Sequence, residues 1–391
     1  MGLSGTFGGT SWHLWWDYVT ETDASALVAS GSEAPSPIEA VGGWAAVLGR
    51  LFRREDLTAS EAASALDSVL AGEANQVQLA AFMAALRTKG ETVDEITGLV
   101  SAMRARAEPL VIAGELVDTC GTGGDRSRTI NVSTISALVV AAAGAKVCKH
   151  GNRAASSSAG SADVFEALGV VVDLGPAGVE RCVAEAGIGF CLAPRFHPAM
   201  RHVGPVRGAL GVATVFNFLG PLANPADAKR QLIGVGDPAM AERMLAVLEA
   251  NGTIHAMVVF GHDGLDELTT VTTSTVHETV LTGDGTGVYR RRTYEVDPRA
   301  LGLAPAQLSD LQGGSPALNA ELATAVLAGE LGPRREFVLL NAGAALIVAG
   351  LADDLAGGIE LAASVLDSGA AGATLAALVT ASRRAAAEGL V

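Results

Sequence analysis

The chain has 391 residues, of which 49% are hydrophobic and 4% aromatic, with a formal net charge of −15; that length suits about two or three domains with an Ala, Val and Leu core. So acidic a surface repels nucleic-acid backbones and anionic membranes, so an anionic ligand has to be drawn in by a local basic patch or by metal ions. Cys120, Cys148, Cys182 and Cys191 show no C-x-x-C spacing and read as reduced thiols of a cytoplasmic protein, no apolar run has the length and purity of a membrane span, and the N-terminus lacks the basic and apolar regions of a signal peptide.

Residues 1–37 read as an appendage. Gly, Ser and Thr dominate its start, Pro35 and Pro37 close it, and Trp12, Trp15 and Trp16 sit between. That composition predicts a flexible extension, or upstream sequence from a misplaced start; a docking role for the Trp cluster is the alternative.

Residues 38–110 carry helical period and no strand signal. Thr58-Ala-Ser-Glu61 and Thr92-Val-Asp-Glu95 are capping boxes, each followed by an amphipathic stretch, and Pro109 ends the block. We expect a small all-helical domain here and a large α/β domain over 111–391, with part of 197–225 packing on the helical domain. From Glu115 the period changes. Strand-like runs at 115–120, 145–149, 170–174, 188–193, 231–235 and 254–260 alternate with helix-like segments at 132–143, 161–168, 177–186 and 239–250. This alternation predicts an α/β domain with a mainly parallel central sheet. Thr269–Val276 is strand-like, and the C-terminal third returns to helices at about 317–328, 335–349 and 358–388.

The first chemically suggestive stretch is Val117-Asp-Thr-Cys-Gly-Thr-Gly-Gly-Asp125, followed by Arg126 and by Asn131-Val-Ser-Thr134. A strand, a glycine turn and a helix N-terminus together make an anion site, because free N–H groups and the helix dipole face the ligand. The spacing matches neither common nucleotide-binding glycine motif, and a structural βα turn is the alternative to an anion site. Lys149-His-Gly-Asn-Arg-Ala-Ala-Ser-Ser-Ser158, with Ser161 opening the next helix, offers two cations and many neutral donors without an acidic residue. That mixture suits a ligand with several phosphate oxygens. In Gly261-His-Asp-Gly-Leu-Asp-Glu267 the carboxylates of Asp263, Asp266 and Glu267 either face water or share a cation such as Mg²⁺. Ala193-Pro-Arg-Phe-His-Pro-Ala-Met200, running on to Arg201, His202 and Arg207, suits an aromatic acid, although His197 and His202 also fit as ordinary partly buried histidines. Thr214–Pro225, with its Gly-Pro and Asn-Pro turns, reads as structural.

These motifs in combination resemble the anthranilate phosphoribosyltransferases, across residues ~40–390. Gly121-Thr-Gly-Gly-Asp125, Asn131–Thr134, Lys149–Arg153 with Ser156, Ser157 and Ser161, Arg207, Gly220-Pro-Leu222 and Asp266-Glu267 carry the likeness. The resemblance implies a helical domain joined to an α/β domain, the fold shared with pyrimidine nucleoside phosphorylases, and a homodimer formed through the helical domain. It implies transfer of phosphoribose from 5-phosphoribosyl 1-diphosphate to anthranilate, with release of pyrophosphate, in tryptophan biosynthesis.

On this resemblance Gly121, Gly124, Asp125, Thr129, Asn131, Val132, Ser133, Thr134, Lys149, His150, Gly151, Asn152, Arg153, Ala154, Ala155, Ser156, Ser157 and Ser161 hold the sugar diphosphate. Ser133, Asp266 and Glu267 bind Mg²⁺, two ions per site. Gly121, Asn152 and Arg207 contact anthranilate, with His150, Ala193, Pro194 and Met200 lining its path, and Arg207, Asn152 and Lys149 carry the catalytic roles. Two positions depart from the pattern: Arg126, where a small residue is usual, and Ala213, where Arg is common. A nucleoside phosphorylase of the same fold and a non-catalytic nucleic-acid-binding relative are the rival readings; the Lys149–Arg153 motif disfavours the first, and the charge and the Asp266-Glu267 pair the second.

Overall fold

The computed structural model describes residues 36–125, 127–154, 158–283 and 287–391. Nearly all of the expected extension, and the site candidates Arg126, Ala155, Ser156 and Ser157, lie outside the described residues. Five helices come first: α1 (Pro37–Ala40), α2 (Gly43–Phe52), α3 (Ala59–Leu70), α4 (Gln76–Lys89) and α5 (Val93–Ala105). Their starts are written in the sequence. The Thr58 and Thr92 side chains accept from the backbone of Glu61 and Glu95. Asn75 caps α4 in the same way through Gln78, a third capping box that the sequence reading passed over. The inward stripe of Ala62, Leu66, Val69, Leu79, Phe82, Leu86, Ile96, Leu99 and Val100 is buried.

Seven strands follow: β1 (Leu116–Gly121), β2 (Lys146–Gly151), β3 (Ile188–Leu192), β4 (Arg230–Gly234), β5 (His255–Gly261), β6 (Ser274–Leu281) and β7 (Tyr289–Val296). They form one sheet in the order β3-β2-β1-β4-β5-β6-β7. The first five strands pair parallel, and β6 and β7 are added antiparallel. The intervening helices are α6 (Val132–Ala142), α7 (Ser161–Ala167), α8 (Pro176–Ala186), α9 (Ala193–Phe196), α10 (Gly204–Leu210), α11 (Phe216–Leu222) and α12 (Ala241–Ala250). The chain closes with α13 (Pro316–Leu327), α14 (Pro333–Val348), α15 (Leu355–Asp367) and α16 (Ala370–Ala387).

Alternate residues of the central strands feed two separate cores, as the strand period of two requires. Leu232, Met257 and Val259 join α6 and α14 on one side. Ile233, Ala256 and Val258 join α11, α12 and the buried face of α3 to α5 on the other. Val203, Val206, Val215 and Phe216 belong to this second core as well.

Three local expectations need correction. Residues 170–174 form no strand; Val170, Val172 and Leu174 are buried as irregular chain between α7 and α8. The strand expected over 269–276 begins only at Ser274, because Thr269 is held in a turn by Ser274 Oγ and Asp263. The single C-terminal helix is two, broken at Gly369, whose φ of +75° lies in the left-handed region.

β1 connects outward to β2 and β3 on one side, whereas β4 and β5 lie on its other side. The sheet therefore switches direction between β1 and β4, and a crevice opens at their C-terminal ends, where open α/β sheets bind ligands.

Candidate active site

At that crevice Gly121 of β1 and Gly234 of β4 stand opposite each other in register. The turn after β5 lays Asp266 across both. A Cβ on Gly121 would sit 2.3 Å from Asp266 Oδ2, and one on Gly234 would sit 1.5 Å from the Asp266 carbonyl oxygen. The close approach thus depends on both glycines. Gly123 and Gly124 turn the chain with φ of +68° and +90°, which presents the Gly123 N–H to Asp266 Oδ2 at 2.7 Å. Asp125, on the same turn, accepts from Ser127 Oγ at 2.7 Å. Burial, and next the Asp125 carboxylate, push Asp266 up to about 7. Burial, and next Asp266, hold Glu267 well above the usual carboxylate range.

Lys149 and His150 end β2 beside this group. Lys149 is almost wholly buried; its ammonium donates to the Thr119 carbonyl oxygen and, at 3.3 Å, to Ser133 Oγ. Burial lowers its pKa, against the pull of the nearby Asp118 carboxylate. Asp118 lies fully buried beneath the site. It accepts from the His150 N–H at 3.1 Å and from Asn224 Nδ2 at 2.8 Å. Asn224 also donates to the Cys148 carbonyl at 2.9 Å, so the Thr214–Pro225 stretch acts as a brace for β2. Burial lowers His150 to about 4 and, for the same leading reason, His197 to about 4. Both imidazoles are therefore neutral near pH 7, with ring centroids 5.4 Å apart. His150 Nε2 is buried without a hydrogen-bond partner.

Two cavities meet here. The first, of about 360 Å³, is lined by Gly121, Gly124, Asp125, Thr129, Asn131, Ser133, Lys149, His150, Gly151, Asn152, Arg153, Ser161, Arg207, Asp266 and Glu267 among the sequence candidates. The second, of about 370 Å³, is walled by Met103, Ala193, Pro194, Met200 and Phe216, with His150, Asn152 and Arg207 shared between the two. Val132, Thr134 and Ala154 are not among the lining residues. The Val132 side chain is in the core, and the amides of Val132 and Thr134 are taken by the Ile130 and Asn131 carbonyls. The Ala154 N–H is bound by Asp163 at 2.8 Å. Thr122, Arg128 and Asn217 line the first cavity without having been singled out in the sequence. Arg128 stood in plain view as a cation within the glycine-turn region; Thr122 and Asn217 gave no signal that sets them apart. Ala213 is exposed between α10 and α11.

Arg153 lines the first cavity, yet its guanidinium is engaged by Glu166 at 2.7 Å and by Asp163 at 3.4 Å. Asp266 and Glu267 are adjacent, and burial raises both, helped at Asp266 by the Asp125 carboxylate and at Glu267 by Asp266. Among the described residues no three His, Cys, Asp or Glu side chains converge into a complete metal cage. One or two carboxylates with the coordination completed by phosphate and water is how Mg²⁺ is held in phosphate sites, so the donor set fits that ion.

Residues 45–107 match a family model described as the glycosyl transferase family, helical bundle domain, and residues 113–372 match the glycosyl transferase family, a/b domain. An anthranilate phosphoribosyltransferase from Roseiflexus castenholzii is 51% identical over 334 residues, 85% of this chain and 96% of its own. One from Nocardioides sp. is 51% identical over 349 residues, 87% of this chain and 99% of its own. The crystal structure of the Thermus thermophilus enzyme superposes with a TM-score of 0.80 at 43% identity, covering 86% of this chain and 99% of that one. The Saccharomyces cerevisiae enzyme in complex with PRPP and Mg gives 0.80 at 25% identity, covering 90% and 100%. With a phosphate-type crevice at the sheet switch and this extent of identity, the chain belongs to the anthranilate phosphoribosyltransferase family.

Proposed function

We propose that this protein transfers the phosphoribosyl group of 5-phosphoribosyl 1-diphosphate to the amino group of anthranilate, releasing diphosphate, as a step of L-tryptophan biosynthesis. One observation carries the reading. A cleft built for anions and a cavity with apolar walls meet at His150, Asn152 and Arg207, so a sugar diphosphate in the first and an aromatic acid in the second would have their reacting ends together.

In this reading the Gly121–Asp125 turn, Thr129, Asn131, Ser133, Lys149 to Arg153 and Ser161 hold the sugar diphosphate. Breaking the C1–O bond leaves an oxocarbenium-like sugar and a strongly anionic leaving group, which fixed N–H donors and Lys149 stabilise where the charge develops. Ser133, Asp266 and Glu267 would hold two Mg²⁺ ions, which when bound supply further positive charge to the diphosphate. Arg207 is half-buried with its pKa lowered by burial; its fork matches the anthranilate carboxylate and aims the amine at C1. The neutral His150 Nε2 is free to accept a hydrogen bond from that amine. Orientation of a weak nucleophile replaces a costly encounter, so positioning and electrostatics supply most of the acceleration.

The chain also divides, in this reading, into a helical domain over 38–110 and an α/β domain over 111–391, and pairs with a second copy through the helical domain in the cytoplasm. Among the described residues no single helix is long and apolar enough to cross a membrane. The test is direct: purified protein with Mg²⁺ and phosphoribosyl diphosphate should consume anthranilate, followed by loss of its fluorescence. Phosphorolysis of thymidine or uridine with no consumption of anthranilate would overturn the reading.

A further inference from the structure

Four cations line the anion cleft: Arg128, Lys149, Arg153 and Arg207. Lys149 is bonded to the Thr119 carbonyl and Ser133. Arg153 is paired with Glu166 and Asp163. Arg207 stands at the junction with the second cavity. Arg128 is the remaining cation, and it lines the first cavity but not the second. Arg128 is exposed and lines the cavity, and its guanidinium has no hydrogen-bond or carboxylate partner among the described residues.

The backbone at Arg128 points the same way. Its φ is +56°, in the left-handed region where glycine or asparagine sits with less strain than arginine. The conformation is held from outside: Gly313 N–H donates to the Arg128 carbonyl at 2.9 Å, and Ile130 N–H donates to the Leu311 carbonyl at 2.9 Å. Strain over-determined by its surroundings and placed on a ligand-lining turn is where function is to be sought. Asp125, three residues before Arg128 and lining the same cavity, acts by its charge on Asp266.

We propose that Arg128 is a further substrate-binding residue, contacting the diphosphate of the phosphoribosyl donor and adding positive charge there to that of Lys149 and of Arg153, which is shared with Glu166. The proposal rests on the transferase reading above. An Arg–phosphate contact is charge-assisted and bidentate, and on a leaving diphosphate it strengthens as the C1–O bond breaks.

The experiment compares Arg128→Gly and Arg128→Lys with the unmodified protein. Binding of inorganic diphosphate and of ribose 5-phosphate, each with Mg²⁺, is measured by calorimetry; KM for both substrates and the melting temperature are measured alongside. Arg128→Gly should weaken diphosphate binding and raise KM for the donor by about ten-fold or more. Ribose 5-phosphate binding and KM for anthranilate should change by less than about two-fold, the scatter expected of a residue outside those contacts. The melting temperature should hold or rise, because glycine relieves the left-handed strain. Arg128→Lys should restore part of the affinity. Unchanged diphosphate binding in Arg128→Gly, a loss confined to ribose 5-phosphate, or a lysine variant no better than the glycine variant would each overturn the proposal. The calorimetry needs no acceptor, so a failure to consume anthranilate would count against the activity alone.

Discussion

The Gly123 N–H and the Asp266 carboxylate are 2.7 Å apart although 143 residues separate them in sequence. That bond ties the turn after β1 to the turn after β5, directly over the glycine pair Gly121 and Gly234. It also sets an electrostatic problem. One N–H donor does not compensate a carboxylate that burial and Asp125 have driven up to about 7, with Glu267 alongside and held well above the usual carboxylate range by burial and by Asp266.

Neutralising these side chains should therefore separate folding from function. Asp266→Asn with Glu267→Gln should abolish Mg²⁺-dependent transfer, while the metal-free variant melts no lower than the unmodified protein, and higher above pH 7. The sign follows from linkage. A carboxyl whose folded pKa lies above its unfolded value weakens the fold as pH rises between the two, and the amide removes that penalty. Thermal melts without metal and turnover across a Mg²⁺ titration check both halves. Full activity in the double variant would end the metal assignment.

The two glycines beneath Asp266 differ in what a methyl group would strike. At Gly234 the obstacle is backbone, the Asp266 carbonyl carbon at 2.5 Å and its oxygen closer still. Gly234→Ala should destabilise the fold by about 3 kcal/mol. At Gly121 the nearest atom is a side-chain oxygen at 2.3 Å, with the Asp266 carbonyl oxygen 3.5 Å away, so the carboxylate can swing aside. Gly121→Ala should lose only about 1 kcal/mol yet raise the Mg²⁺ concentration needed for half-maximal rate. Urea denaturation and Mg²⁺ titration separate the two; equal effects of both substitutions on stability would contradict this account.

Much of this site is legible in the chain because its parts are local. Each loop that reaches the crevice carries its chemistry within about ten residues, and strand periodicity places each loop at a strand end. The errors are where local pattern and tertiary context part. Val170, Val172 and Leu174 alternate like a strand, but their side chains are buried in the core from irregular chain between α7 and α8, without joining the sheet. The polar run of β7 hides a strand because its arginines face solvent at the sheet edge, where charge protects against unwanted pairing. Arg153 lines the cavity as its type suggests, and only the fold adds its pairing with Glu166, 13 residues on. Asp118 reads as one polar residue in a strand; its role as the buried anchor of His150 and Asn224 needs the third dimension.

Arg207 is the other cleft arginine without a carboxylate partner among the described residues, and under the proposed function it takes the acceptor end of the reaction. It lines both cavities. Arg207→Lys keeps the charge but loses the planar fork, and Arg207→Ala loses both. KM for anthranilate should rise roughly ten-fold in the first and about a hundred-fold in the second, as expected for one charge-assisted contact. Binding of phosphoribosyl diphosphate measured without acceptor should stay within a factor of about three, since the remaining donors of the cleft are untouched. A loss confined to the donor would reassign Arg207 to the diphosphate.

The pH dependence of stability has a separate source, at the antiparallel end of the sheet. Glu278 on β6 has a nearly buried side chain. It lies 2.8 Å from His255 Nε2 and accepts from Arg292 Nε at 2.6 Å. Burial pushes its carboxyl upward, but the hydrogen bonds from His255 and Arg292 outweigh burial and hold it at about 2. The folded pKa lies below the unfolded one, so the stabilisation is fully present above the unfolded carboxyl pKa and is lost as pH falls from there to about 2. Because Arg292 is largely exposed, solvent screening reduces the contribution to roughly 1–2 kcal/mol. Glu278→Gln should lower stability by that amount at pH 7, and the gap to the unmodified protein should close as pH falls below the unfolded carboxyl range. Denaturant titrations at stepped pH give the curve. A gap that stays constant down to acid pH would mean that the lost glutamate contributes packing and not charge.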